Sequence, residues 1–420
     1  MKRLEKHIRR KVEREDDYDL FDNRRPADFI MDVLARYYTE QSVSKLLVSG
    51  FQQNHPGKIL DLGAGDGSLL HAAYRRWKNA KFYGADIDHE SISRASNRLP
   101  FVKLVHIDGL SPGLPQQMKL KVGSIDVAIC NPPYLPVARC PSIVSLFKDV
   151  GLPGSTKLEK VTSDIVFLAQ NLQMLRDGGE LGIILLDSIF TGHLFAYLRE
   201  DILSNHSILA IIQLPDNVFV KTEARTHILL IKKGSTSDSF VPLYRSDKFG
   251  DLETKLSVPR DELVYRMDHS YHMWKKNQKS SNGLVSLEEL GVEIRRGRQT
   301  RRCLQDLGIN YFHTSSFPGT LNPKVRLTND SIQSGINAEP GDILIARVGK
   351  RIIGRVTMVE SGSQVITDCV YRLRCPRKYR EVIWKSFISK EGQNWFKAHA
   401  HGVCSQVISK KDLLSYSIVT

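Results

Sequence analysis

Apolar and polar positions along the chain alternate in a way that marks seven strand-like runs of six to eight residues, at 58–64, 81–87, 102–107, 125–130, 180–186, 207–214 and 226–232. Between them lie helix patterns. One runs from Ser68 to Trp77. Another opens at Ser163-Asp164, places Ile165, Leu168, Leu172 and Leu175 on one face, and ends at Asp177-Gly178-Gly179. Strands that alternate with helices predict an α/β fold, a seven-stranded Rossmann-like open sheet whose ligands bind at the strand carboxyl ends. Residues 1–22 are charged throughout and read as a solvated helix. Pro26 opens an amphipathic helix with Ile30, Val33 and Leu34 on one face. The stretch from Leu135 to Thr162 contains Pro136, Pro141, Gly151, Pro153 and Gly154, shows no clear period, and reads as a long loop.

Two turns at strand ends carry candidate chemistry. The run 125–130 is followed by Asn131-Pro132-Pro133-Tyr134. An Asn there offers a side-chain oxygen, and the Pro-Pro pair stiffens the turn so that a backbone carbonyl points the same way. The ring of Tyr134 adds a flat platform, and the set reads as a socket for the exocyclic amino group of a planar base. Upstream, Asp61-Leu62-Gly63-Ala64-Gly65-Asp66-Gly67 forms a glycine-rich turn between a strand and a helix. Its glycines let a ligand approach the backbone, and Asp61 places a carboxylate where a cationic amino-acid tail can sit, which suits S-adenosylmethionine. Two further strands finish at acids, Asp86 and Asp108.

Length and charge extend the picture. A chain of 420 residues, 41% hydrophobic and 25% charged, has room for two or three globular domains, and nothing in it suggests a fibre or a disordered tail. The net charge is +14 and the pI about 9.4, which favours a polyanionic partner. Residues 285–420 hold 21 basic against 12 acidic side chains, so an excess of nine lies in this third of the chain. Arg295, Arg296, Arg298, Arg301 and Arg302, and further on Arg372, Arg374, Arg377 and Arg380, sit among aromatic and β-branched residues, a pattern suited to phosphate and base contacts. Ser- and Gly-rich residues at 234–250 and a polar stretch at 275–284 predict a catalytic domain over 1–245, a linker over 246–284 and a smaller mixed α/β domain over 285–420. The six cysteines form no Cys-x-x-Cys pair, which argues against a zinc ribbon or a disulfide framework; no metal ligands are expected, and the compartment reads as reducing. No apolar run approaches the roughly 18 residues of a membrane span, so the expectation is a soluble, cytoplasmic protein without a membrane partner.

The cofactor turn followed by Asn-Pro-Pro-Tyr resembles the γ class of amino-methyltransferases acting on DNA adenine, over roughly 24–233. The resemblance implies S-adenosylmethionine as cofactor, held by Asp61, Gly63, Ala64 and Gly65, with Asp86 and Ile87 at its ribose, Ile107 and Asp108 at its adenine, Asn131 close by, and Pro26 in a capping segment. It implies Asn131, Pro132, Pro133 and Tyr134 as the catalytic tetrad. Leu214-Pro215-Asp216-Asn217-Val218-Phe219 looks like the family segment whose aromatic residue, here Phe219, stacks with Tyr134 on a flipped target base. Relatives often carry a Pro where this chain has Leu186-Asp187. The tail resembles half of a type I restriction specificity subunit. Met267-Asp268-His269-Ser270-Tyr271 looks like its lead-in and Glu339 through Gly349 like its central strand, with Arg347 a further candidate for DNA contact. Double-stranded DNA is the implied partner, a separate restriction endonuclease a candidate one, and the chain a monomer or a homodimer. N4-cytosine methylation and protein glutamine N5-methylation remain as alternatives, since each substrate also presents an amino group to the tetrad.

Overall fold

The computed structural model describes residues 41–216, 218–219, 224–234, 238–253, 255–278, 283–319, 324–349, 351–402 and 405–419. Pro26 lies outside them. All seven strands expected from the pattern are present: β1 (Lys58–Leu62), β2 (Lys81–Asp86), β3 (Val102–His106), β4 (Ile125–Cys130), β5 (Leu175–Leu186), β6 (His206–Gln213) and β7 (Thr226–Lys233). Two more, β8 (Phe240–Arg245) and β9 (Leu256–Pro259), extend the sheet, so that the order across it is β9-β8-β6-β7-β5-β4-β1-β2-β3. The half from β5 to β3 is parallel, while β7 runs antiparallel between β5 and β6. The stretch read as a linker thus carries β9 and a helix, α7 (His269–Asn277).

Alternation along each strand supplies two cores, one on each face. Leu60, Leu62, Ala128, Cys130, Leu181, Ile183 and Leu185 face one, with α4 (Pro141–Asp149), α5 (Ser163–Met174) and α6 (Ala196–Asn205). Ile59, Val127, Ile129, Ile184, Ile228 and Leu230 face the other, covered by α1 (Gln41–Ser49) and α2 (Ser68–Arg76); α3 (His89–Arg98) follows β2. The expected loop after Leu135 contains α4, a correction with a clear cause. Pro141 occupies the first helical turn, where a missing N–H costs nothing, and Ile143, Leu146, Phe147 and Val150 keep a helical period toward the core. Leu175, expected on α5, instead begins β5.

The C-terminal third builds a second sheet from β10 (Glu293–Arg296), β11 (Tyr311–Phe312), β12 (Lys324–Asp330), β13 (Asn337–Ala338), β14 (Ile343–Ala346), β15 (Val356–Ile366) and β16 (Val370–Arg374). Its order is β10-β16-β14-β15-β11, with β12 and β13 also pairing along β15. The short α8 (Arg301–Asp306) precedes β11, while α9 (Arg380–Ile388) and α10 (Lys390–His399) pack Trp384, Phe387, Trp395 and Phe396 over one face, and α11 (Lys410–Ser415) is followed by a short strand, Ser417–Val419, paired with Leu284–Ser286.

The two sheets meet through polar groups. Arg266 and Asp268 form a buried ion pair at 2.6 Å, and the same guanidinium donates to the carbonyls of Ala398 and His399 at the end of α10. Asp268 also caps α7 by accepting from Tyr271 N, and Ser270 donates to Gln213 Oε1 at the end of β6. Arg199 on α6 is fully buried and spends its donors on four main-chain carbonyls, those of Ile189, Gly192, Val264 and Tyr265, at 2.7–2.9 Å.

Candidate active site

β1 and β4 are parallel neighbours with Asp61 opposite Ile129, so the glycine-rich turn and the Asn-Pro-Pro-Tyr turn leave the sheet side by side at its carboxyl edge. The Cys130 thiol donates to Leu62 O at 3.0 Å, and burial pushes that thiol well up, which makes it structural. A Cβ on Gly63 would stand 3.8 Å from Asn131 O, so the two turns are in near contact.

Gly63 and Ala64 donate their amides to Ala85 O on β2, and Gly65 N donates to Asp86 Oδ2 at 2.7 Å. Gly63 and Gly65 adopt positive φ, 77° and 53°, which only glycine tolerates without strain, and nothing stands within 4 Å of where a Gly65 Cβ would be. The turn therefore offers open backbone. Asp86 Oδ1 accepts from Asp88 N at 2.8 Å; Asp108 Oδ1 accepts from Leu110 N at 2.9 Å; Ile107 N donates to Asp86 O. With Ile87 on the following residue, these groups gather at the ends of β2 and β3.

Asp61 is 1% exposed, and its Oδ1 has no hydrogen-bond partner. Burial, then the negative charges of Asp86 and Asp66, push its carboxyl well above the usual range. A cation bound here relieves both effects, so these residues fit the ammonium-bearing tail of S-adenosylmethionine. Because the proton competes with that cation, cofactor affinity should fall as pH drops into the raised titration range of Asp61. Asp61→Asn should bind about 1.5–3 kcal/mol more weakly at neutral pH and lose the pH dependence. Calorimetry across pH 5–8 checks this, and a mutant as tight as the parent would remove Asp61 from the site.

Asn131 is half-buried. Tyr134 Oη donates to Asn131 Oδ1 at 3.2 Å and lies 3.3 Å from Ile184 O. Ser163 then locks the turn: its hydroxyl donates to Pro133 O and accepts from Leu135 N, while its own amide donates to Leu135 O. The sequence shows Ser163 only as a helix opener. Phe167, one turn further along α5, lies beneath both Gly63 and Gly109; a Cβ on Gly109 would meet its ring at 2.5 Å. No local pattern marks Phe167.

Other expected residues are placed differently. Phe219 is 3% exposed and packs in the apolar cluster with Leu214, Val218 and Ile184. Asp187, where relatives often carry Pro, is buried and pairs with His227 at 2.9 Å beneath the stacked Phe190 ring. Although burial raises its pKa, the hydrogen bond and charge of His227, with Arg225 and Arg266, hold its carboxyl at about 2. Among the arginines, Arg298, Arg301 and Arg302 are exposed, and Arg301 Nε donates to Tyr311 Oη. Arg295 pairs with Glu293, Arg296 with Asp368 Oδ2 at 3.0 Å, and Arg347 Nε donates to Asp368 O at 3.0 Å.

A doubly wound sheet whose first strand ends in an acidic, glycine-rich turn, with Asn-Pro-Pro-Tyr at the end of the neighbouring strand, has the fold of the S-adenosylmethionine-dependent methyltransferases. The chain belongs to the N-6 DNA methylase family, which it matches over residues 34–293. It is 25% identical over 320 residues to the type II methyltransferase M.PstI of Providencia stuartii, covering 67% of this chain and 61% of that one. It is 23% identical over 396 residues to M.BsuBI of Bacillus subtilis, covering 78% and 75%. Among solved structures, the type IIG restriction endonuclease BpuSI aligns over 90% of this chain and 57% of its own, at 14% identity and a TM-score of 0.47. The chain thus spans less than two thirds of the length of M.PstI and of BpuSI. Among the described residues, no helix is long and apolar enough to cross a membrane.

Proposed function

We propose that the chain is a site-specific DNA methyltransferase that methylates N6 of an adenine flipped out of duplex DNA, with residues 285–420 reading the site, as part of a restriction-modification system. The observation that carries this is the Asn131 side-chain oxygen, which accepts from Tyr134 Oη, on a turn whose Asn131 main-chain carbonyl lies close to Gly63 of the donor turn. When bound, S-adenosylmethionine supplies an electrophilic methyl group. Adenine N6 is a weak nucleophile because its lone pair is delocalised into the ring. Asn131 Oδ1 and the Pro132 carbonyl accept its two N–H groups and draw that pair back onto nitrogen. An amide oxygen has two lone pairs, so Tyr134 can hold one while the other meets the base. The exchange of duplex stacking for stacking on Tyr134 recovers about 1–3 kcal/mol per aromatic contact against the few kcal/mol of flipping. Phe219 can join only if it leaves its packing or the base enters it.

The test is incubation with methyl-labelled S-adenosylmethionine and mixed-sequence duplex DNA, followed by nucleoside analysis. Label in N6-methyladenine supports the proposal. Label in N4-methylcytosine would replace adenine by cytosine; label in protein glutamine alone, an outcome that the basic C-terminal third disfavours, would end the DNA reading. Tyr134→Phe keeps the ring and loses one hydrogen bond of about 1 kcal/mol, so single-turnover transfer should slow roughly five- to tenfold with cofactor affinity unchanged. An unchanged rate would mean that Tyr134 does not orient Asn131.

A further inference from the structure

Three groups unused by methyl transfer meet where the two sheets join. His193 lies just after the short helix that follows β5; His401 follows α10, and Asp412 sits in the first turn of α11. One donor atom from each lies within 4.8 Å of the others. His193 Nε2 is 3.2 Å from Asp412 Oδ1, and His401 Nε2 is 3.8 Å from Asp412 Oδ2. Asp412 is 1% exposed, and among the described residues its ion-pair partners are these two imidazoles, with no lysine or arginine. Arg266, whose charge reaches the cluster, is already committed to Asp268. With neutral imidazoles the carboxylate is a buried charge compensated by hydrogen bonds and by no paired cation. His401 Nε2 is also buried and has no hydrogen-bond partner.

We propose that His193, His401 and Asp412 bind a divalent transition-metal ion, zinc fitting best, which pins the C-terminal segment to the catalytic sheet. Imidazole and carboxylate donors suit zinc, and three protein ligands leave a fourth position for water. Two donors can share an ion at about 2.1 Å only if they stand no more than about 4.2 Å apart; both nitrogen–oxygen pairs meet that limit, and the two imidazole nitrogens, within 4.8 Å of one another, reach it with at most a small side-chain shift. His193 makes an ordinary hydrogen bond with Asp412 Oδ1 at 3.2 Å and His401 Nε2 stands beyond hydrogen-bond reach at 3.8 Å, so neither contact is the roughly 2.7–2.9 Å of a charge-assisted pair. Tyr265 Oη donates to Asp412 Oδ1 at 3.0 Å, and the Ser409 hydroxyl and amide donate to Oδ2 in a helix capping box, the kind of outer support that metal-binding carboxylates commonly have. The ligands are too far apart in sequence for any motif to reveal them.

The experiment titrates the chelator-stripped full chain with zinc chloride by calorimetry and records Tm with and without the ion. One zinc per chain and a higher Tm are expected, with no response to magnesium chloride. His193→Gln and His401→Gln should each weaken zinc binding at least about tenfold and remove the Tm rise. Metal-free variants that melt as the metal-free parent does show that the fold is intact. Absence of saturable uptake overturns the proposal, as does uptake unchanged in both variants. So does a Tm indifferent to zinc that falls as pH rises through the histidine range, because imidazolium would then be the compensating cation.

Discussion

Asn131→Ala should abolish methyl transfer, slowing the single-turnover step by at least about 10²–10³-fold, the scale seen when one preorganised hydrogen-bonding group is removed from a reacting centre. S-adenosylmethionine affinity should stay nearly unchanged, because the donor side rests on Asp61, Asp86 and the open backbone of Gly65. The mutation also frees the Tyr134 hydroxyl of one partner, so part of the loss comes from a ring no longer fixed at the socket. Labelled transfer to DNA together with cofactor calorimetry separates the two effects. Turnover comparable to the parent would sink the socket, and loss of cofactor binding in step with activity would assign Asn131 to the donor instead.

The largest stability effect is expected at Arg199. Its guanidinium is wholly enclosed, and burial, with the charge of Arg266, lowers its pKa to about 10, so it remains charged at neutral pH. Four carbonyls from two separate segments depend on it. Arg199→Met fills the same volume with apolar atoms yet leaves those carbonyls unpaired, and should cost about 3–5 kcal/mol in urea unfolding. A loss within 1 kcal/mol would mean that the carbonyls find other partners. Two of them belong to Val264 and Tyr265, and β9 lies beyond 245 as well. A chain ending near 245, which composition alone marks as a complete catalytic domain, should therefore fail to fold. A cut after 278 keeps these contacts.

The inner strands β4, β6 and β7 were legible because each is a nearly continuous apolar run, buried on both faces, while the edge strand β3 was legible by alternation. β8 was not, because Pro242 weakens its strand signal; the proline is tolerated outside the parallel pairing with β6, which begins at Leu243. The helix α4 was hidden for a related reason, since Pro141 reads as a breaker unless it falls at a helix start. Asn131, Asp61 and Asp86 were legible from spacing because chemistry confines them to strand ends. Ser163, Phe167, His227 and Arg199 act through contacts between segments distant in sequence, and each looks locally like an ordinary core or capping residue. The arginines were marked by charge clustering, which does not show that Arg295, Arg296 and Arg347 also bond within the chain.

The hold of Arg266 on the carbonyls of Ala398 and His399 bears on how such proteins diversify. The joint reads the main chain at the end of a helix, where carbonyls lack partners within the helix whatever side chains the helix carries. A replacement tail of unrelated sequence can dock in the same seat if it brings a helix terminus to that point. Mutation and recombination can then rewrite the C-terminal segment freely while Arg266 and Asp268 stay behind with the catalytic half, and a graft that leaves this pair out should lose its footing even when both halves are intact.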